Sequence, residues 1–340
     1  GLERHTSWGL GLISQTLFSP GIGYKIIYAM KMKIQGLIAA AFTPFNEDGS
    51  LNLGLVPALV EKLLQDGLKG IFVCGSNGEG PNMTTEERMM VAEAFVKAAN
   101  KRLLIIVHVG HSSIAESKKL AVHAQAIGAD AFSSVAAFYF KPTSVETLVH
   151  CMAEIASAAP QLPFYYYHIP ILTGVGMDMI DFLNYAGDLI PNLAGIKYTS
   201  ATIHEYQSCL ELKNGKFDVL FGFDELLLPA LSIGSRGAIG STYTFAAPEY
   251  LKTAALYQQC NNDQARENHS FMVEVIRIFA RYPSVPAQKA IMKMLGFDMG
   301  PCRLPLVTLN KTHYDKLYTE LDAVSFFDRV PSIPISSKEF

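Results

Sequence analysis

The sequence predicts an α/β fold, a (β/α)₈ TIM barrel with a C-terminal helical extension, and three observations carry that expectation. From Ile34 onward, short apolar runs alternate with amphipathic stretches of helical period, the pattern of repeated βα units around a parallel sheet. The apolar runs number eight, which suits a closed ring. The polar and glycine-rich residues gather just after these runs, the side on which barrels of this kind build their sites. The expected division is an N-terminal extension over 1–33, the barrel over 34–245, the last barrel helix with the helical extension over 246–330, and a tail over 331–340.

In chain order, the expected strands are Gly36–Phe42, Gly70–Cys74, Leu104–Val109, Ala131–Val135, Phe164–Tyr167, Leu193–Lys197, Val219–Phe221 and Gly237–Gly240. Each is short, apolar and bounded by turn-forming residues, as strands covered on both faces should be. Helices are expected over Val56–Gln65, Thr85–Asn100, Ser113–Ile127 and Val145–Ala158. Thr84 and Glu87, three residues apart, form a capping box, the hydroxyl accepting from a first-turn amide and the carboxylate reaching back. Beyond the eighth strand, Pro248–Gln259, Asp263–Phe279, Val285–Leu295 and Thr312–Leu321 make more helix than the ring needs, hence the extension. Gly1 to Ala29 carries few acidic groups and no clear period, so it reads as disordered or foreign to the fold, with Met30 or Met32 as a candidate start. A targeting segment is disfavoured by the lack of a basic or clean apolar region.

Composition narrows the function. A chain of 340 residues, 49% hydrophobic, can bury a large core, and a formal net charge of −3 without a basic stripe argues against nucleic acid as a partner. No apolar run is long enough to span a bilayer, so a membrane is not expected. The cysteines Cys74, Cys151, Cys209, Cys260 and Cys302 are scattered and odd in number, which suits a reducing compartment, by default the cytoplasm, and neither a disulfide framework nor a zinc site. His108, His111 and His168 lack any metal-binding spacing. The expectation is a small-molecule substrate with no metal and no cofactor.

Lys197 closes the apolar run Leu193-Ala194-Gly195-Ile196 at the barrel mouth, where a lysine with a desolvated stem can attack a ketone and form a Schiff base. A lysine ending a strand is more often a solvated rim residue, so the neighbours decide. Gly75-Ser76-Asn77-Gly78-Glu79 follows the second strand, and its small residues expose backbone amides to which Ser76 and Asn77 add side-chain donors for a carboxylate; the plainer alternative is a tight strand-to-helix turn. In Phe164-Tyr165-Tyr166-Tyr167-His168, alternation puts Tyr165 and Tyr167 on one face, and one of them can point inward. A phenol trades protons at neutral pH only beside a cation or on a hydrogen-bond relay, and Lys197 and Ser76 can supply both.

These residues resemble the pyruvate-dependent class I aldolases, the family that includes N-acetylneuraminate lyase and dihydrodipicolinate synthase. The resemblance covers roughly Ile34 to Leu321 and rests on the Gly75–Glu79 loop, Tyr167–Pro170, Gly195–Lys197 and Gly240-Ser241, in order and at barrel spacing. It implies that Lys197 forms the Schiff base and that Tyr167 exchanges protons through Ser76 and Tyr139. Tyr139 would reach into a neighbouring subunit, and the expected partner is a second copy in a homotetramer. One departure is Asn77, where the family usually has threonine. Family members that condense an anionic aldehyde carry an arginine shortly after the Tyr-x-x-Pro segment, whereas Leu172 stands here. Without that guanidinium an anionic aldehyde loses about 1.5–3 kcal/mol.

In the turn opened by Gly222, the carboxylates of Asp224 and Glu225, with the hydroxyls of Thr199 and Ser241, suit a polyhydroxylated chain, although Asp224 and Glu225 would equally favour a helix N-terminus. The resemblance therefore implies reversible cleavage of N-acetylneuraminate to N-acetyl-D-mannosamine and pyruvate, with Ser76 and Asn77 on the carboxylate and the second group on the sugar. Synthesis of dihydrodipicolinate, or cleavage of another keto-deoxy-sugar acid, is the alternative within the family. A silent sialic-acid-binding protein is the alternative outside catalysis, disfavoured because a binder needs no amine beside a phenol.

Overall fold

The computed structural model describes residues 33–331; nearly all of the expected N-terminal extension and tail lie outside them. Eight parallel strands, β1 (Gly36–Ala40), β2 (Gly70–Val73), β3 (Leu104–His108), β4 (Ala131–Val135), β5 (Phe164–His168), β6 (Leu193–Tyr198), β7 (Asp218–Phe221) and β8 (Gly237–Gly240), pair in chain order and close into a barrel. The ring helices are α1 (Val56–Gln65), α2 (Thr85–Ala99), α3 (Ile114–Ala126), α4 (Val145–Ser157), a single turn α5 (Pro170–Thr173), α6 (Met179–Leu189), α7 (Ile203–Gly215), α8 (Leu227–Ser232) and α9 (Tyr243–Gln258). The extension adds α10 (Asn262–Phe279), α11 (Ser284–Met294), α12 (Lys311–Asp322) and α13 (Phe326–Arg329). Among the described residues no helix is long and apolar enough to cross a membrane.

Alternation along the strands divides the apolar residues into two cores. Inward residues, among them Ile38, Phe72, Ile106, Tyr165, Tyr167 and Ile239, fill the barrel; outward ones such as Ile71, Val73, Phe164, Tyr166 and Ile196 pack under the helices. Both Tyr165 and Tyr167 face inward. Tyr165 lies deeper and donates to Asp218 Oδ2 at 2.8 Å, so it is occupied as structure while Tyr167 stands at the mouth end of the same strand. The β5–β6 ladder pairs Tyr167 with Lys197, so the two candidate groups are set side by side by register.

Several boundaries differ from expectation for local reasons. β6 runs one residue further, to Tyr198, because the ladders to His168 and Phe221 continue. β1 stops at Ala40, after which Ala41 keeps only one bond back to Phe72. Pro248 does not open its helix: α9 starts at Tyr243, straddling the expected domain boundary after 245, and absorbs the proline through non-helical dihedrals at Ala246. A proline suits a first turn, but here the missing N–H is accommodated inside a kink. α6 completes its share of the ring from an Asp178 cap that accepts from Ile180 and Asp181.

Candidate active site

Lys197 is 3% exposed, and its Nζ lies 3.9 Å from the ring centroid of Tyr167 and 4.1 Å from that of Phe72. Both aromatic faces attract the ammonium form, a contact worth about 0.5–2 kcal/mol. A third ring completes the floor: Phe72, Tyr167 and His108 stand 5.6–5.8 Å apart, centroid to centroid. The imidazole of His108 faces the Cys74 carbonyl with Nδ1 at 3.2 Å. Burial first, then the charges of Arg88 and Lys197, push it well below the ordinary histidine range, so it is neutral. Arg88, itself fully buried, donates to the carbonyls of His108 and Gly110 and fixes the end of β3.

The loop after β2 is wound tightly. Glu79 N donates to Ser76 O at 3.1 Å, Gly80 N to Gly75 O at 3.1 Å, and Thr43 Oγ1 to Gly78 O at 2.6 Å. These bonds hold Ser76 and Asn77, both half-buried, on the wall of a cavity of about 770 Å³ that also receives Tyr167 and Lys197. Glu79, the last residue of the expected motif, turns its carboxylate to the buried Lys289 of α11 and to the backbone N–H of Arg303, both at 2.8 Å.

The same cavity is also lined by hydroxylic and acidic side chains. Thr199 is buried with an unpartnered hydroxyl, and a side chain at Gly222 would fall 1.9 Å from it; the glycine makes room for the threonine. Asp224 needs the same concession from Gly240, where an added Cβ would sit 1.8 Å from its carboxylate. Asp224 Oδ2 accepts from the N–H and hydroxyl of Thr242 at 2.8 and 2.6 Å, and burial pushes Asp224 up to about 6. Glu225 is also raised by burial. Both carboxylates occupy the 3-10 turn Asp224–Leu226 that leads into α8, so the helix-start and cavity-lining readings coexist. Ser241 lies on the same wall.

Thus Lys197, Tyr167, Ser76, Asn77, Thr199, Gly222, Asp224, Glu225 and Ser241 share one cavity. Tyr139 does not line it: it is 79% exposed, beside Phe140 at 86%, so within one chain it makes no relay with Ser76 and Tyr167. Leu172 stands at the rim, 62% exposed. Sequence reasoning gave no role to Phe72, although the inward alternation of β2 could have found it. It likewise missed the bonds by which Thr242, at the eighth strand end, orients Asp224, and the wall that α10, α11 and the segment Pro305-Leu306 contribute. Lys289 had a signal: a lysine between Ala287 and Ala290-Ile291 on an apolar helix face.

A model of the dihydrodipicolinate synthetase family matches residues 33–324. The N-acetylneuraminate lyase of Xenopus tropicalis is 38% identical over 294 residues, 85% of this chain and 96% of that protein. The human N-acetylneuraminate lyase is 38% identical over 302 residues, 87% of this chain and 94% of that one. Among solved structures, the N-acetylneuraminate lyase of Proteus mirabilis superposes with a TM-score of 0.84 at 38% identity, covering 87% of this chain and all of that one.

Proposed function

This chain belongs to the dihydrodipicolinate synthetase family, and from that premise we propose that it is a class I aldolase that reversibly cleaves N-acetylneuraminate to N-acetyl-D-mannosamine and pyruvate. The observation that carries the reading is the pairing of a buried lysine amine with a phenol ring 3.9 Å away in a cavity that acidic and hydroxylic side chains also line.

In the proposed reaction, Ser76 and Asn77 hold the substrate carboxylate while Thr199, Asp224, Glu225 and Ser241 orient the sugar hydroxyls. The Lys197 amine, deprotonated, attacks the C2 ketone, and loss of water gives a protonated Schiff base that draws electrons. Tyr167 takes the proton of the C4 hydroxyl, the C3–C4 bond breaks, and the aldehyde leaves behind an enamine. Protonation at C3 and hydrolysis return the lysine and release pyruvate. The apolar Leu172 at the rim supports a neutral sugar as the leaving aldehyde.

The exposed Tyr139 and Phe140 support assembly with a second copy, in which Tyr139 would complete the proton relay from the partner, and we propose a homotetramer. The free thiols of all five cysteines suit a reducing, cytoplasmic setting. Borohydride reduction in the presence of pyruvate, followed by peptide mapping, should place an adduct on Lys197, and a pyruvate-release assay on N-acetylneuraminate should give turnover. An adduct without turnover would move the substrate to another keto-sugar acid. No adduct would leave a binding protein.

A further inference from the structure

Glu79 and Lys289 form a nearly solvent-free ion pair, 1% and 4% exposed, between the loop after β2 and the C-terminal extension, 210 residues apart in sequence. Glu79 lines the cavity and Lys289 stands behind it. The turn that Glu79 closes is the one that carries Ser76 and Asn77, through its bond to Ser76 O, and its own backbone sits in the left-handed region at φ 52°. The extension holds this carboxylate from two sides: Lys289 Nζ, which also donates to Pro301 O, and the N–H of Arg303. Arg303 in turn is fixed by two 2.7 Å bonds to Glu87 at the start of α2. Both cations stand over the Phe45 ring at 4.5 Å.

The arrangement has an electrostatic purpose if the neighbouring loop receives a carboxylate, and the inference rests on the aldolase reading for that reason. An uncompensated Glu79 would repel a substrate anion held three residues away, at low dielectric and little screened. We infer that Lys289 is a positioning residue for substrate-carboxylate binding: it cancels the charge of Glu79 and anchors its side chain, so that the Ser76-Asn77 turn can accept an anion.

The test is borohydride trapping of the full-length protein across a pyruvate titration, for wild type, Lys289→Met, Glu79→Gln and the double variant. Lys289→Met should raise half-saturating pyruvate about tenfold, while the KM for N-acetylmannosamine at saturating pyruvate moves less than about twofold. Glu79→Gln, which keeps an acceptor for Arg303 N–H, should not raise half-saturation at all. The double variant should return to within about threefold of wild type, because the offending charge is gone; a merely structural tie would leave it as impaired as Lys289→Met. A Lys289→Met value within about twofold of wild type, a rise in Glu79→Gln, or no recovery in the double variant overturns the inference. If Lys289→Met fails to fold, Lys289→Gln, which keeps a donor for Glu79 and removes the charge, takes its place in the same cycle with the same expected and overturning values. Absence of an adduct in wild type overturns the aldolase reading and this inference with it.

Discussion

The strand-borne and the loop-borne groups of the cavity are placed by different means. Lys197 and Tyr167 are ladder partners on the adjacent strands β5 and β6, and Phe72 and His108 meet them across the barrel from β2 and β3, so their relative positions follow from strand register and closure. Asp224, Glu225, Ser241 and Leu172 instead sit on turns and single helical turns, and one wall belongs to the extension. Strands fix geometry to fractions of an ångström through hydrogen bonds on both sides, whereas loops are free to vary without disturbing the core. Such a division lets the strands hold a fixed set of groups while the loops around them vary.

That contrast predicts different phenotypes for the two sets of groups. Lys197→Ala should abolish both the pyruvate adduct and turnover, measured by intact mass and by pyruvate release; an adduct elsewhere would break the assignment of the floor. Tyr167→Phe keeps the ring under the amine but removes the hydroxyl, and should cut kcat by about 10²–10⁴ while the borohydride adduct still forms. Loss of the adduct as well would mean that Tyr167 acts before carbon–carbon cleavage. Tyr139→Ala should lower kcat by a smaller factor, about tenfold to a hundredfold, if a partner's tyrosine completes the relay, and sedimentation would show whether the assembly survives.

Among the loop-borne groups the effects should spare the pyruvate chemistry. Asp224 is pushed up to about 6 by burial, so in the folded protein it holds its proton to higher pH than an ordinary aspartate. As pH falls through that value the carboxylate loses acceptor capacity for sugar hydroxyls, and the KM for N-acetylneuraminate should climb below it while pyruvate trapping does not follow. The same raised value means that ionising Asp224 costs folding stability as pH rises from the ordinary aspartate range toward neutrality. Asp224→Asn should flatten the acid limb of the KM profile and remove that stability slope. An unchanged limb would assign it to Glu225 or another group. The smallest effect is expected at the rim: Leu172→Arg should weaken sugar-acid cleavage more than adduct formation, and equal losses would count against a neutral leaving aldehyde.

The sequence by itself determined the barrel, its eight strands and the strand-end residues from Ser76 to Ser241 that meet in one cavity. Those features are written in short windows: an apolar run, an alternation of period two, a lysine or a tyrosine at the end of a strand. Even the capping box at Thr84 and Glu87 is present as read, with both of its bonds. The boundaries that shifted, as at Pro248, did so because a local rule had two solutions and packing chose the less common one.

Only the tertiary structure decided which polar residues meet. Glu79 was read as the end of an anion loop, yet its partner is Lys289, and no local period links positions that far apart. Thr242 and Gly240 matter because Asp224 folds against them from another strand end, and His108 because three rings converge at the floor. A buried polar group must find a partner wherever the chain brings one, and that choice depends on closure of the barrel and docking of its extension.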